Sequence, residues 1–255
     1  MRLSKEKQAA VVEAYSQGAS CKQVGRDFSI SPQTVSNLLK RTGLSARADF
    51  RLPIHNETAF SCITPTSAYW AGFLLADGCI HFHLGRYPKV ILELGIEDRE
   101  HVEKFREFLQ AEAGVKVSHK GAAARFEVTS QRLVSDLLSL GITERKSLTA
   151  TVSPSLENNR DFWRGVIDGD GWLGYNSGNG RPHIGLIGTR ATIESFQDFC
   201  GIEGTVGTQY KMSTAVYYSR KAAKVARVLY AETKLYLDRK KILADSIMEY
   251  RKEQL

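Results

Sequence analysis

A segment of ten residues occurs twice in the chain, and this internal repeat constrains the fold more than any other feature of the sequence. The copies occupy residues 69–78 and 162–171, and each contains a Trp, a Gly two positions later and a closing Asp-Gly pair. A triplet of an acid, Arg and Lys follows each copy, at residues 144–146 and 238–240. Because the distance from repeat to triplet is nearly the same in both halves, the sequence predicts two copies of one structural unit.

The residues between these anchors follow the same order of patterns in both halves. An alternating run predicts a strand at residues 80–83. Further strands are predicted at residues 89–94, 115–118 and 125–129, and the second half repeats the pattern at 172–175, 183–187, 205–210 and 215–218. Apolar residues at helical spacing predict helices around residues 102–109, 133–140, 193–199 and 225–230. With the repeat as its first helix, each half is predicted to be an α-β-β-α-β-β-α unit of the α+β class.

The first 43 residues have a separate helical pattern. Apolar residues at helical spacing predict three short helices, with Gly18 ending the first, Ser20 capping the second and Ser31 capping the third. The tight turn predicted at residues 28–31 is typical of a helix-turn-helix module. The stretch that follows lacks periodicity and is predicted to be a basic linker. The predicted domains are therefore residues 1–43, the linker 44–66 and a main domain 67–255, with halves at about 67–153 and 154–255.

Basic residues exceed acidic residues in the chain, with 35 Lys and Arg against 28 Asp and Glu, which gives a formal net charge of +7. A basic surface favours polyanionic partners such as double-stranded DNA. No apolar run approaches the roughly 18 residues of a membrane span, so no membrane partner is expected. The four cysteines lack the paired spacing of a zinc site and are expected to be reduced. Because the N-terminus does not resemble a signal peptide, the expected location is the cytoplasm, near the nucleoid, or an organellar matrix, not the secreted fraction.

The third predicted helix has a polar outward face. Val35 and Leu38 fit packing positions, and Gly25 suits a close crossing of two helices. The outward side chains of this helix are expected to contact DNA, namely Gln33, Thr34, Ser36, Asn37 and Lys40. The alternative is a small helical bundle without a DNA role. The seven basic residues in this segment, against three acidic ones, favour DNA.

The two repeated segments resemble the paired motifs of the LAGLIDADG homing endonucleases, in the form that carries both motifs in one chain. The resemblance covers about residues 67–255. The position of the family's catalytic acid is occupied by Asp77 in one copy and by Asp170 in the other. An earlier acidic position of the family is Leu75 in the first copy and Asp168 in the second.

This resemblance implies a pseudo-two-fold fold whose two saddle-shaped antiparallel sheets lie along the DNA major groove. It also implies hydrolysis of both strands of a long asymmetric site, across the minor groove, leaving short 3′ overhangs. The strand residues then expected to contact DNA are Arg86, Lys89, Arg181, Gln209 and Lys211, and the linker adds Arg47 and Arg51. Because one chain supplies both motifs, a monomer without an obligate protein partner is expected. Two alternatives share the fold: a DNA-binding regulator that has lost cleavage, and an intron RNA maturase.

Small residues in the repeats predict closely packed helices. Gly72 and Ala76 lie four residues apart, as do Gly165 and Gly169, so each pair falls on one helix face. Side chains of this size allow two helices to approach closely. A helix pair packed in this way would bring its two C-terminal ends together and place the two motif aspartates side by side.

Neighbouring carboxylates at helix C-termini predict a divalent cation site. Asp77 and Asp170 would repel each other unless a cation bridged them, and the helix carbonyls add partial negative charge. Oxygen ligands favour Mg²⁺ over zinc, with about two or three ions expected and Mn²⁺ able to substitute. The expected ligands are Asp77, Asp170 and, at the helix ends, Ala76 and Gly169. A metal-activated water would then hydrolyse the phosphodiester.

The last residues of the two triplets, Lys146 and Lys240, are the other candidate catalytic residues. Each is expected to stabilise developing negative charge or to hold the water network, and a plain phosphate contact is the alternative. Asp98 and Thr189 fall near a polar position of the family, and a helix-capping role is the alternative for both.

Overall fold

Three helices form in the N-terminal part of the chain, where the apolar spacing predicts them. The computed structural model describes residues 3–16, 19, 21–42, 55–82, 87–144 and 149–250. Contacts divide the chain into two units, Met1–Pro53 and Ile54–Leu255. The helices of the first unit are α1 (Lys5–Ser16), α2 (Cys21–Asp27) and α3 (Pro32–Arg41). Their apolar faces meet in a small core of Val11, Tyr15, Val24, Val35, Leu38 and Leu39.

The turn between α2 and α3 depends on one glycine and one capping serine. A Cβ at Gly25 would lie 2.8 Å from the carbonyl oxygen of Ile30, so a larger residue would push this turn apart. The hydroxyl oxygen of Ser31 accepts a hydrogen bond from the Thr34 N–H at 3.1 Å, which is the cap predicted for α3. The residues predicted to end α1 and to cap α2, Gly18 and Ser20, lie outside the described residues.

The second unit contains two successive sets of elements in the same order. The first set is α4 (Pro65–Ala76), β1 (Gly78–His81), β2 (Lys89–Gly95), α5 (Arg99–Phe108), β3 (Lys116–Ser118), β4 (Ala123–Thr129) and α6 (Gln131–Ser139). The second set is α7 (Arg160–Asp170), β5 (Gly171–Tyr175), β6 (Pro182–Gly188), α8 (Arg190–Cys200), β7 (Thr205–Gln209), β8 (Met212–Tyr218) and α9 (Arg220–Tyr230). The predicted α-β-β-α-β-β-α order is therefore confirmed in both halves.

An additional helix, α10 (Asp238–Glu249), follows the second set. The sequence pattern does not predict it, because its buried residues are Lys240, Ala244 and Ile247. A stripe that contains a lysine and so few apolar side chains gives no clear helical periodicity. Among the described residues, no helix has the length and apolar character that a membrane crossing requires.

Each half folds its four strands into an antiparallel sheet, with the order β1-β2-β4-β3 in the first half and β5-β6-β8-β7 in the second. Successive side chains of a strand point to opposite faces of the sheet. Val90 and Leu92 in β2 are buried, and Leu92 lies opposite Phe126 in β4. In the second sheet, Leu186 and Ala215 form the equivalent buried pair. One face of each sheet thus packs against the helices, and the other lies outside the core.

The structure corrects part of the predicted linker. Phe60 is buried against Phe108, with ring centroids 5.4 Å apart, and the Asn56 N–H donates to the Leu109 carbonyl oxygen at 2.7 Å. Helix α4 also begins before the predicted start of the main domain. Residues 55–66 therefore belong to the second unit. A single buried aromatic ring creates no periodic pattern, so the sequence gives no signal of this packing.

A buried hydrogen-bond network joins the two halves around the carboxylate of Asp168. It accepts hydrogen bonds from the Tyr69 hydroxyl at 2.7 Å, the Tyr230 hydroxyl at 2.6 Å and the Leu237 N–H at 2.8 Å. Burial raises the pKa of Asp168, and these hydrogen bonds oppose that effect. Because the Tyr69 hydroxyl proton is donated to Asp168, its oxygen accepts from Nε2 of His101 at 3.0 Å. The network connects α4 and α5 of one half to α7 and α9 of the other.

Acidification should destabilise the second unit through His101. Burial lowers the pKa of this imidazole to about 3, and the cations Lys104, Arg239 and Lys240 act in the same direction. The unfolded histidine takes up a proton near its ordinary pKa of about 6.5, whereas the folded one stays neutral, so stability falls as the pH decreases below that value. The expected slope from this residue is about 1.4 kcal/mol of unfolding free energy per pH unit.

Urea unfolding at several pH values between 7.5 and 5, followed by tryptophan fluorescence, measures this slope. His101→Phe removes the titrating group, so the dependence on pH should become flatter by that amount. An equally steep dependence in the variant would show that His101 is not the cause.

Candidate active site

The repeated segments form α4 and α7, and these two helices pack against each other through their backbones. A Cβ at Gly72 would lie 2.0 Å from the carbonyl oxygen of Phe162, and a Cβ at Gly165 would lie 2.0 Å from that of Tyr69. Any side chain larger than hydrogen would therefore force the helices apart. The two contacts mirror each other, as expected for two copies of one unit around a pseudo-two-fold axis.

This packing places the two motif aspartates at one end of the helix pair. Asp77 is the C-cap residue of α4, and Asp170 is the last residue of α7. A Cβ at Gly169 would lie 2.3 Å from the Cβ of Ala76 and 3.3 Å from Oδ2 of Asp77. The Asp77 carboxylate therefore lies against the residue that directly precedes Asp170. The four residues predicted as metal ligands are brought together at the helix ends.

Lys240 reaches the same place from α10 and is almost completely buried. Its Nζ lies 2.8 Å from the carbonyl oxygen of Ile167, 2.6 Å from that of Asp168, 2.9 Å from that of Gly169 and 2.7 Å from that of Gly171. Burial lowers the pKa of this ammonium to about 8, although the neighbouring carboxylates of Asp168, Asp77 and Asp170 favour its charged form.

An ammonium group has three N–H donors, and these four carbonyls share them. The carbonyls belong to the end of α7, which carries partial negative charge. The Ile167 carbonyl oxygen also accepts from the Gly171 N–H, whereas the last carbonyls of a helix lack intrahelical donors. Lys240 therefore caps the helix that ends at Asp170. Its predicted role in charge stabilisation or in a water network stays a prediction, and Lys146 lies outside the described residues.

Lys240→Met should lower the free energy of unfolding by about 2–4 kcal/mol, because it removes the ammonium that donates to the Asp168 and Gly169 carbonyl oxygens at the end of α7. Urea unfolding of the full-length chain measures the change. Lys241→Met is the matched control: Lys241 is the next residue of α10, and its Nζ pairs with Asp245 on the surface. The control should change stability by less than about 1 kcal/mol. Equal losses in the two variants would contradict a capping role for Lys240.

A cavity of about 140 Å³ lies beside Asp170. Thr189 and Thr192 contribute polar groups to its lining, and Leu75 and Met212 form part of its apolar side. Leu75 occupies the position in the first repeat that corresponds to the buried acid at the centre of the hydrogen-bond network in the second repeat. The two halves therefore differ next to the paired aspartates, and this space is large enough for several water molecules.

The donor atoms at the helix ends fit a hard divalent cation. Carboxylate and carbonyl oxygens are the ligands that Mg²⁺ prefers. Within the described residues, no three or more His, Cys, Asp and Glu side chains are grouped in a way that could hold a metal ion. A cation at Asp77 and Asp170 would therefore complete its shell with backbone carbonyls, water or substrate oxygens. The Gly169 carbonyl already accepts from Lys240, so only its second lone pair is available to a cation.

Comparisons with known proteins agree with this division of the chain. Residues 2–47 match the homeodomain-like domain family. Among solved structures, the LAGLIDADG meganuclease I-AabMI bound to uncleaved DNA is similar over 75% of this chain and 92% of that chain, with a TM-score of 0.56 and 12% identity. The second unit has the LAGLIDADG fold. The LAGLIDADG homing endonuclease I-GzeII in complex with its DNA target covers 75% of this chain and 89% of its own, with a TM-score of 0.49 and 15% identity. No curated protein sequence matches the chain.

In the LAGLIDADG unit, a segment of each half contacts the other half. Nε of Arg239, at the start of α10, lies 3.0 Å from both carboxylate oxygens of Asp98, just before α5. In the corresponding place of the second half, the Thr189 hydroxyl donates to the Ala150 carbonyl oxygen at 2.7 Å and also caps α8. The two positions singled out in the sequence thus hold the halves together. The repeat in the sequence identifies the triplet at residues 238–240, but it does not show that Arg239 contacts Asp98 in the opposite half.

The predicted DNA contacts of the described residues lie at accessible positions. In α3, Gln33, Thr34, Asn37 and Lys40 are exposed and Ser36 is half-buried. In the LAGLIDADG unit, Lys89 is half-buried, whereas Arg181, Gln209 and Lys211 are exposed. Lys89 and Gln209 lie in strands as predicted, but Arg181 directly precedes β6 and Lys211 lies in the turn between β7 and β8, so neither is the strand residue that was predicted. Arg47, Arg51 and Arg86 lie outside the described residues. The roles of all these residues stay predictions.

Sequence reasoning missed a set of charged strand residues that the first sheet brings together. Arg125 in β4 pairs with Glu93 in β2 and with Glu127, and Lys89 pairs with Glu127. The alternation of charged and apolar residues in β2 and β4 is a signal that could have placed them on one face. Their pairing depends on the register of the two strands.

Proposed function

We propose that the protein is a site-specific, metal-dependent endonuclease that cleaves both strands of DNA. One observation carries the proposal: Oδ2 of Asp77 lies 3.3 Å from the Cβ position of Gly169, the residue before Asp170. Two acids therefore share one end of a backbone-packed helix pair, where oxygen ligands for a divalent cation converge. The LAGLIDADG fold supports the proposal, since I-AabMI is a meganuclease bound to uncleaved DNA.

Each part of the site has a distinct role in this proposal. Asp77 and Asp170 would hold Mg²⁺, which supplies Lewis-acid stabilisation of the phosphodiester and activates a water when bound. Because each aspartate ends one helix of a pseudo-symmetric pair, each serves one strand of the duplex. Lys240 fixes the end of α7 and thereby the position of Asp170. One chain provides both acids, so the proposed active form is a monomer.

The homeodomain-like unit adds a second contact with DNA. Its helix α3 exposes Gln33, Asn37 and Lys40, and modules of this kind place one helix in the major groove. Joining two DNA-binding units in one chain makes the second binding event intramolecular, which raises overall affinity. The N-terminal unit would therefore lengthen the recognised site.

A plasmid assay tests the endonuclease. The full-length chain is incubated with plasmid that carries the sequences flanking its gene, joined without the gene between them. Linear plasmid is expected with Mg²⁺ or Mn²⁺ and none with a chelator. Tight DNA binding without cleavage would support a regulator instead, and preferential binding to folded intron RNA would support a maturase. Either of these results would overturn the proposed function.

A further inference from the structure

The first sheet, β1–β4, carries all its charged side chains on the face outside the core. Its strands contain five residues of this kind, Lys89, Glu93, Lys116, Arg125 and Glu127. The register places Glu93 opposite Arg125 and Arg125 opposite Lys116, so these share one face. Lys89 and Glu127 lie an even number of positions from these residues on the same strands and project to that face as well.

Four of these residues form one chain of ion pairs. The Arg125 guanidinium donates to Glu93 and to Glu127 at 3.0 Å each, and Lys89 Nζ donates to Glu127 at 2.8 Å. The hydrogen bond from Lys89 is the main reason that the pKa of Glu127 is lowered, so this carboxylate is charged. The carboxylates hold both cations in place, and a guanidinium has five N–H donors, more than these contacts use.

The second sheet, β5–β8, has no Asp, Glu, Lys or Arg in any of its four strands, all of which the structure describes. Gly78 pairs with Leu92 and Gly171 pairs with Leu186, which fixes the equivalence of the two sheets. At the positions of the four ion-paired residues, the second sheet has His183, Ile187, Thr214 and Val216.

The outer face of the second sheet combines polar side chains, among them His183 and Gln209, with apolar ones. The Trp172 ring lies across Gly185, where a Cβ would be 2.1 Å from its Cζ2 atom. Ile187, Val216 and Met212 add partly exposed apolar side chains on this face. A ligand that spans both sheets therefore meets acidic and basic side chains on the first outer face and no Asp, Glu, Lys or Arg of the strands on the second.

Resting on the proposed endonuclease function, we propose that the two halves recognise half-sites of different base composition. The half-site read by β1–β4 is rich in G·C pairs, and the half-site read by β5–β8 is rich in A·T pairs. In the major groove, Arg and Lys donate to guanine O6 and N7, carboxylates accept from cytosine N4, and apolar side chains contact the thymine methyl group. The first face presents Arg, Lys and Glu, which pair with guanine and cytosine. The second presents apolar side chains, which contact thymine, and Gln209, since Gln pairs with adenine.

Glu127 is the specificity-determining residue that follows from this arrangement. The negative charge of Glu127 repels DNA phosphates. Glu127 therefore weakens binding to any DNA in which no base places a hydrogen-bond donor, such as cytosine N4, within its reach. It also orients Lys89 and Arg125. Glu127→Gln should therefore raise affinity for unrelated DNA and reduce the ratio of cognate to unrelated affinity by about 10-fold. Glu194→Gln is the matched control, because Glu194 pairs with Arg190 on helix α8, away from the sheet face.

Selection of bound duplexes from a randomised library tests the inference. The full-length chain is used with Ca²⁺ in place of Mg²⁺ to prevent cleavage, and the selected sites are sequenced. The expected result is one G·C-rich and one A·T-rich half-site, with Glu127→Gln changing base preferences only in the G·C-rich half and Glu194→Gln changing neither. Two half-sites of equal composition, or the same shift with both variants, would overturn the inference while leaving the endonuclease intact. Failure to select any DNA would overturn both.

Discussion

Asp170→Asn should reduce Mg²⁺-dependent DNA cleavage by about 10³-fold, which corresponds to roughly 4 kcal/mol of lost transition-state stabilisation. Asn has nearly the same shape as Asp but lacks the negative charge that a hard cation requires. The position of α7 should not change, because it depends on the glycine contacts with α4 and on the Lys240 cap. Asp77→Asn should have an effect of the same order, since Asp77 ends the partner helix.

Single-turnover cleavage of a plasmid or duplex that carries the target site measures this loss, and a binding assay with Ca²⁺ accompanies it. Binding should stay within a few-fold of the wild type, because phosphate contacts made by basic residues dominate the affinity of proteins for DNA and neither aspartate supplies such a contact. Asp245→Asn is the control, since it makes the same chemical change at an exposed ion pair with Lys241. Cleavage at the wild-type rate by either motif variant would show that the paired aspartates do not hold the catalytic metal.

Gly165→Ala should destabilise the LAGLIDADG unit by about 3 kcal/mol or more. The new Cβ would lie 2.0 Å from the Tyr69 carbonyl oxygen and 2.7 Å from the Phe73 nitrogen. Both atoms belong to the backbone of α4, so no side-chain rotation relieves the overlap. The helices must separate, which also moves the two aspartates apart and should reduce cleavage in any protein that remains folded.

Urea unfolding followed by tryptophan fluorescence isolates this effect, because Trp70, Trp163 and Trp172 all lie in the second unit. Gly114→Ala is the control: a Cβ there would have no atom within 4 Å, and the residue is not in the left-handed region. The control should remain within about 0.5 kcal/mol of the wild type. An unchanged unfolding midpoint for Gly165→Ala would mean that α4 and α7 do not pack through their backbones.

The sequence alone determined the duplicated α-β-β-α-β-β-α order and the helix-turn-helix, because both depend on local patterns. The Gly and Ala positions of the repeat indicated a close helix pair, and the Asp-Gly pairs indicated where its helices end. The patterns at residues 89–94 and 125–129 indicated two strands, which are β2 and β4. A sequence shows these features because side chains return to the same face about every 3.6 residues in a helix and every two residues in a strand.

Only the tertiary structure decided how distant side chains meet. Arg239 and Asp98 are 141 residues apart, and Lys240 reaches a carbonyl oxygen 73 residues away, at Ile167. Those contacts show that Lys240, a candidate catalytic residue by sequence, also caps the helix that carries Asp170. A separate contact, between Phe60 and Phe108, buries a residue of the segment predicted to be a linker. Local periodicity specifies which face of an element is apolar, but not which residue of another element lies opposite it. That choice is made by the packing of the whole core, where the mirrored close contacts of Gly72 and Gly165 between α4 and α7 set the positions of both aspartates.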